Sequence, residues 1–364
     1  MKYLVTGILG HACPHLAKLL IEEGHEVHAL IRGTNGNEYN LLDLLSPQEI
    51  ESITFHYGDL KDYNSLVRIF STAKFDGVFH LGAQSHPPTA FKDPRGTMET
   101  NTVGTINLIE AIRETGQGKT CVICNVSTSE VYGDDCKDVG ILKEDMPLNP
   151  SNPYGWSKAS AEMYLRERCK NEESKGFSTR AFSHLAPRRG KNFSISWDAF
   201  HLAYMRVVTD KYGWKESDPY ILPVGNLETE RVVIDARDVM RAYYLLMQKF
   251  HEYDKKTKRL YEIGNPKPYI DTKNPINGES FNVCGDLDKL QKMEYFTNKL
   301  IEISGLQEVE KKIDKRVYRP IDIKIQIGDT TKLNKVIDWK PEIPIEQTLK
   351  DVYEYWVRKL NEKR

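Results

Sequence analysis

Tyr154 and Lys158 stand four residues apart in the stretch "PYGWSKASAE". On a helix this spacing places both side chains on one face. A lysine cation beside a phenol lowers its pKa, and the resulting phenolate can take a proton from a substrate hydroxyl. A hydride can then leave the same carbon for a nicotinamide. One connection earlier, a strand-like run ends in Ser127-Thr128-Ser129-Glu130, three hydroxyls followed by a carboxylate. A lone Tyr-x-x-x-Lys recurs by chance on surface helices. Its position directly after that run argues for chemistry.

Such chemistry needs a cofactor, and "TGILGHACPHLA" (residues 6–17) offers a place for one. Gly7 and Gly10 follow a strand-like run, and Cys13 stands where a third glycine would complete the pattern. A strand, a glycine-rich turn and a helix form a cradle for pyrophosphate, because backbone N–H groups and the helix N-terminus favour its charge. The last glycine of that pattern serves close helix–strand packing, which a small Cys side chain can approximate. Pro14 suits the first turn of a helix, where a missing N–H costs nothing. The competing reading is an ordinary tight β-α turn. The second strand-like run ends in Arg32 rather than an acidic residue, so a 2′-phosphate is favoured and with it NADP over NAD. A solvated arginine is the alternative. Asp59 and Leu60, after the third run, are placed to meet an adenine. Leu81, Ala83 and Ser85, in "HLGAQS", are placed to pass beneath the cofactor.

The elements that would position these residues alternate. "KYLVTG", "HEVHALIRG", "SITFHYGDL", "DGVFHLGA", "TCVICNVST" and "FSTRAFSHLAP" read as strands with helical patterns between them, the last helix running to Gly176. Such alternation predicts an α/β fold with a doubly wound parallel sheet and ligands beyond the carboxyl ends of its strands. After about residue 183 the alternation gives way to segments rich in Tyr, Trp, Pro and Lys, read as loops and short elements of a smaller domain. Residues 1–182, with a return segment at about 225–250, are assigned to a dinucleotide-binding domain. Residues 183–224 and 251–364 are assigned to a substrate domain.

The 364 residues carry a formal charge of -1, with 40% apolar and 28% charged residues. That balance gives no global pull toward nucleic acid or an anionic membrane. No run approaches the ~20 apolar residues of a membrane span. The start, "MKYLVTG", has no signal-peptide pattern, so a cytoplasmic protein is expected. Cys121 and Cys124 lie in a strand-like run, where residues three apart face opposite ways, so they read as core rather than as a metal or redox pair. His11, His15 and His86 form no recognisable metal motif, and no metal is expected; His86 is a candidate for the substrate pocket. The aromatics around Trp214 and Tyr220 would either cover a ligand or pack a core.

Across nearly its whole length the chain resembles the extended short-chain dehydrogenase/reductase family of nucleotide-sugar enzymes. Within that family it looks most like the GDP-mannose 4,6-dehydratases and the GDP-4-keto-6-deoxymannose reductases. The matching pieces include "HLGAQSH", "NVSTSEVYG", "PYGWSKASAE", "APRRGKNF", "VGNLETERVVIDARDV" and "YRPIDIKIQIGDTTKLNKVIDWKP". The resemblance implies a Rossmann-like sheet with a smaller α/β C-terminal substrate domain, and NADP or NAD as cofactor. It also implies a GDP-sugar substrate, a homo-oligomer (dimer or tetramer) and a place in polysaccharide biosynthesis. Thr128 would hydrogen-bond the sugar's 4-oxygen and Tyr154 would be the base there, with Lys158 orienting cofactor and tyrosine. Glu130 would act on the C5 proton and assist loss of water from C6. Ser85, Ser129, Ser183 and Arg188 would bind the substrate, and Arg231 and Arg319 would reach its diphosphate or nucleoside. Arg188 and Arg189 would lie in a loop reaching toward a neighbouring subunit's cofactor.

Three departures bear on this reading: Cys13 for the third glycine, Ser183 for an asparagine that contacts substrate, and Asp322 for a longer glutamate. They leave the hydride and elimination residues intact and leave the sugar open, hexose or heptose. The expected activity is conversion of GDP-mannose or a GDP-manno-heptose to the 4-keto-6-deoxy sugar. A 4-keto reductase, a 4-dehydrogenase, an epimerase and a non-catalytic NADP-binding sensor are the alternatives.

Overall fold

The computed structural model describes residues 1–33, 39–133, 140–213, 219–262, 274–314 and 323–362. Seven strands make one parallel sheet: β1 (Lys2–Thr6), β2 (Glu26–Ile31), β3 (Thr54–Tyr57), β4 (Gly77–His80), β5 (Val122–Val126), β6 (Lys175–Ala181) and β7 (Ser280–Val283). Their spatial order is β7-β6-β5-β4-β1-β2-β3. The order reverses between β1 and β4, so the connections leaving these two strands diverge and open a crevice at their carboxyl ends.

The faces of the sheet follow from the two-residue period of its strands. Tyr3 and Val5 of β1 face a layer formed by α1 (Cys13–Glu22) and α6 (Ala236–Glu262). Leu4 faces the opposite layer, where α2 (Tyr63–Thr72), α3 (Gly104–Glu114) and α4 (Pro153–Lys170) supply Leu66, Leu108 and Leu165. Cys121 and Cys124 fall into opposite layers, and burial raises the pKa of both thiols. Among the described residues no group of three or more His, Cys, Asp or Glu side chains could hold a metal ion. No helix among them is long and apolar enough to cross a membrane.

The structure departs from the sequence reading in three places. Helix α4 ends at Lys170, and Gly176 lies inside β6, where a Cβ would come within 2.5 Å of the Ile123 carbonyl oxygen. Glycine at this point is a matter of sheet packing and not of helix termination. Strand β7, assigned by sequence to the second domain, is the seventh strand of the main sheet beside β6. The region after residue 183 holds long helices: α5 (Ser194–Tyr212), α7 (Met293–Ser304) and α8 (Ile345–Glu362) share a separate core built around Leu202, Phe296 and Leu349. That core also covers the parallel strands Tyr220–Val224 and Val309–Ile313. Trp214 lies outside the described residues, while the Tyr220 hydroxyl bonds Thr209 Oγ1 at 2.9 Å.

Candidate active site

The crevice at the strand ends is a cleft of about 620 Å³. Its floor is built where two turns meet. Gly7 has φ +77°, and a Cβ there would lie 2.8 Å from the Gly82 nitrogen. Only glycine allows the turn after β1 to touch the turn after β4 this closely. Gly10 N donates to Gly7 O at 2.8 Å and closes the turn. Helix α1 then starts with Pro14 in its first turn and no side-chain cap at Ala12. The residue ahead of the helix thus gives its first N–H groups no side-chain cap, an arrangement that suits an anion. Cys13 is 4% exposed, turned into the core, and burial pushes its thiol up to about 12.

The β4 turn is tied down from below. Thr6 Oγ1 accepts from Gly82 N at 2.9 Å and pairs with His80 Nδ1 at 2.8 Å, while His80 Nε2 pairs with Thr105 Oγ1 at 2.9 Å. Burial, with the Lys158 cation nearby, pulls His80 down to about 3, so it stays neutral in this chain of bonds. Asn101 lies in a π-helical turn (Glu99–Val103) ahead of α3 and holds both the nitrogen and the oxygen of Gln84. Its amide also donates to Ser157 Oγ at 2.9 Å, linking this turn to α4.

The proposed reactive groups gather on the other wall. β5 delivers the chain to Thr128, whose hydroxyl caps a short 3-10 turn (Ser129–Tyr132) carrying Glu130. Tyr154 and Lys158 occupy the first two turns of α4. A buried pair, Arg180 Nε to Glu162 Oε1 at 3.0 Å, pins that helix to β6 one turn beyond Lys158. Thr128 hydrogen-bonds the Tyr154 phenol, and Lys158 Nζ donates to Val126 O at 2.6 Å. Burial drives Tyr154 up to about 12; the Glu130 carboxylate adds to the rise, while Thr128 and the Arg189 cation oppose it. Burial also lowers Lys158 to about 8. Sequence spacing named Lys158 as the cation acting on the phenol. In the folded chain the cation that offsets the rise is Arg189, while the Lys158 ammonium is directed at the Val126 carbonyl.

Gly7, Gly10, Cys13, Arg32, Asp59, Leu60, Leu81, Ala83, Ser85, Thr128, Ser129, Glu130, Tyr154, Lys158, Ser183 and Arg231 all line this one cleft. Arg231 does so while donating to the Glu230 and Ile323 carbonyls at 2.7 and 2.6 Å. Arg188 does not line the cleft. It has φ +74°, is 8% exposed, and turns its guanidinium to His15 Nε2. Burial and that guanidinium lower His15 to about 3, which keeps it a neutral acceptor. The adjacent Arg189 does line the cleft and donates to His11 Nε2 at 2.9 Å from above the Phe193 ring. His86 does not line the cleft and packs edge-on against Phe193. Arg319 and Asp322 lie outside the described residues.

Several cleft residues escaped the sequence reading. Tyr243 comes from α6, too far along the chain for any local motif. Gln326, cross-strand partner of Arg231, has a buried Nε2 without a hydrogen-bond partner. Asn152 sits just behind the cleft wall; its signal was legible, since an Asn before a Pro is a helix start.

This geometry can be set beside known proteins. The sequence model for GDP-mannose 4,6 dehydratase matches residues 4–352. The chain belongs to that family. A GDP-mannose 4,6-dehydratase of Vibrio cholerae is 28% identical over 352 residues, covering 95% of this chain and 91% of the relative. Among solved structures, UDP-glucose 4-epimerase of Thermotoga maritima superposes with a TM-score of 0.76 at 24% identity, over 99% of this chain and 100% of that one. The Pseudomonas aeruginosa protein RMD, solved with NADPH, gives 0.75 at 24%, over 98% and 99%. Both structures share the fold.

Proposed function

We propose that the protein is a GDP-sugar 4,6-dehydratase that converts GDP-mannose, or a GDP-manno-heptose, to the 4-keto-6-deoxy sugar. The observation that carries this reading is the presence of Thr128, Glu130, Tyr154 and Lys158 on one wall of the cleft whose floor is the Gly7–Gly10 turn. Family membership supports it. The floor fits a dinucleotide, because Gly7 leaves no Cβ in the way and the first amides of α1 have no side-chain cap. Arg32, lining the cleft at the end of β2, favours NADP over NAD. A nicotinamide held there would supply a reversible acceptor for the hydride of C4.

Tyr154 takes the proton of the 4-hydroxyl, with Thr128 placed to hold the 4-oxygen. Arg189 favours the phenolate that this step needs, against the burial that disfavours it. Once C4 is a ketone the C5 proton is acidic, and Glu130 removes it and delivers a proton to the departing 6-hydroxyl. C6 then takes up the hydride that left C4 while C5 regains a proton, so the net change is loss of one water, with oxidation at C4 balanced by reduction at C6. Mass spectrometry of GDP-mannose or GDP-manno-heptose incubated with the protein and catalytic oxidised cofactor tests this. A product lighter by one water is expected. No change with either sugar, together with turnover of a 4-keto sugar by NADPH, would show a reductase instead.

A further inference from the structure

Asn152 joins the two halves of the proposed chemistry. The residue is 7% exposed and lies directly ahead of α4. Its Oδ1 accepts from Gly155 N at 2.8 Å and caps the helix that carries Tyr154 and Lys158. Its Nδ2 donates to Glu130 Oε2 at 2.7 Å. We propose that Asn152 is a positioning residue that orients the Glu130 carboxylate for elimination, a role that rests on the dehydratase reading above.

The surroundings give that bond its leverage. A Cβ on Gly155 would lie 2.6 Å from the Glu130 carbonyl oxygen, and one on Gly133 would lie 2.0 Å from the Asn149 carbonyl oxygen. The turn bearing Glu130 and the start of α4 are therefore in backbone contact. The remaining freedom of Glu130 lies in its side-chain torsions, and the amide restrains these. The chemistry of the donor matters as much as its position. An arginine or lysine would hold a carboxylate more firmly but would weaken it as a base. A neutral amide restrains the carboxylate without setting a cation beside it. An N-cap alone does not call for this residue, since Ser and Asp cap comparably well. Asparagine offers an acceptor for the helix and a donor for the carboxylate on one rigid group.

The test is a cycle of Asn152→Ser, Glu130→Gln and the double variant, assayed with GDP-mannose and oxidised cofactor. Three readouts are needed: formation of reduced nicotinamide, loss of water, and exchange of the C5 hydrogen with heavy water. Asn152→Ser keeps a capping oxygen and should lower kcat for water loss about tenfold or more at little-changed KM. Because Tyr154 is untouched, reduced nicotinamide should accumulate on the enzyme while C5 exchange slows. In the double variant the loss should equal that of Glu130→Gln alone, since both act through one group. Asn152→Asp, which also caps, should fall at least as far because it sets a second carboxylate beside the first. If Asn152→Ser folds poorly, this variant answers the same question. Losses that multiply in the double variant, or equal slowing of nicotinamide reduction and water loss, would reduce Asn152 to a helix cap and overturn the proposal. A wild-type protein that neither reduces cofactor nor releases water with GDP-mannose or with GDP-manno-heptose would overturn the functional reading itself, and the proposal with it.

Discussion

Replacing Gly7 by Ala separates two penalties that usually travel together. Gly7 and Gly24 have nearly the same backbone, φ +77° and +73°, but a Cβ on Gly24 meets nothing within 4 Å. Gly24→Ala therefore carries only the left-handed strain of about 1 kcal/mol. Gly7→Ala carries that strain and also drives a Cβ to 2.8 and 2.9 Å from the nitrogen and Cα of Gly82. These are backbone atoms, so the Gly82 turn must move, and Gly82 N is held by Thr6 Oγ1 at 2.9 Å. Losing that bond costs roughly 1 kcal/mol and disturbed packing around it a similar amount. The total is about 3 kcal/mol. For 364 residues an unfolding entropy near ~2.1 cal/mol/K per residue converts this to a fall in Tm of about 4 °C, against about 1 °C for Gly24→Ala. Thermal scans with and without NADP, alongside titration calorimetry, make the comparison. Gly7→Ala should lose the stabilisation conferred by cofactor, whereas Gly24→Ala should keep it. Wild-type cofactor affinity in Gly7→Ala would refute the assignment of this turn as the cofactor's floor.

Three further outcomes are expected. Tyr154→Phe should lower turnover by about 10³-fold with cofactor affinity unchanged by calorimetry, because only the proton acceptor is lost. Arg32→Glu should raise the Kd for NADP by about tenfold or more and leave that for NAD within a small factor, as direct titration of both would show. Acid should destabilise the fold at mild pH. His15 and His80 have folded pKa values of about 3 against 6.5 for a free histidine side chain, so between those limits the unfolded chain binds the extra protons. Their contribution is full above about pH 6.5 and lost as pH falls toward 3, at up to about 1.4 kcal/mol per pH unit for each histidine. Denaturant midpoints measured from pH 7 to pH 5 should fall, and His15→Gln should flatten the slope.

The six leading strands were legible because short strand-like runs bounded by turn residues alternate along the chain with helical patterns. Strand β7 was not, since Ser280–Val283 reaches β6 from about a hundred residues further on and no local signal says which sheet it joins. The tyrosine–lysine pair was legible because its spacing is local. The electrostatics around it were not, since Arg189, whose charge acts on the phenol, comes from a separate part of the chain. Nor could sequence separate Arg188 from Arg189. Arg188 has a positive φ, and the two neighbouring guanidinium groups go to different histidines, one to His15 and one to His11.

Cys13 shows why a departure from a motif has to be judged by what its side chain meets. The third glycine of a dinucleotide turn matters where a Cβ would hold the helix off the sheet. Here the residue is the first of α1, and its side chain joins the same buried layer as Ala12, Leu16, Met240 and Tyr243. The helix is held there by its contact with α6, the element that also brings Tyr243 and Met240 to the cleft. The thiol fills core volume between these helices, and its own Sγ lies 3.6 Å from where a Cβ on Gly10 would stand. The glycines whose space is filled by backbone, Gly7 and Gly10, are retained. Position 13 is the one where a side chain has core to enter, so the turn between β1 and α1 accommodates a thiol there.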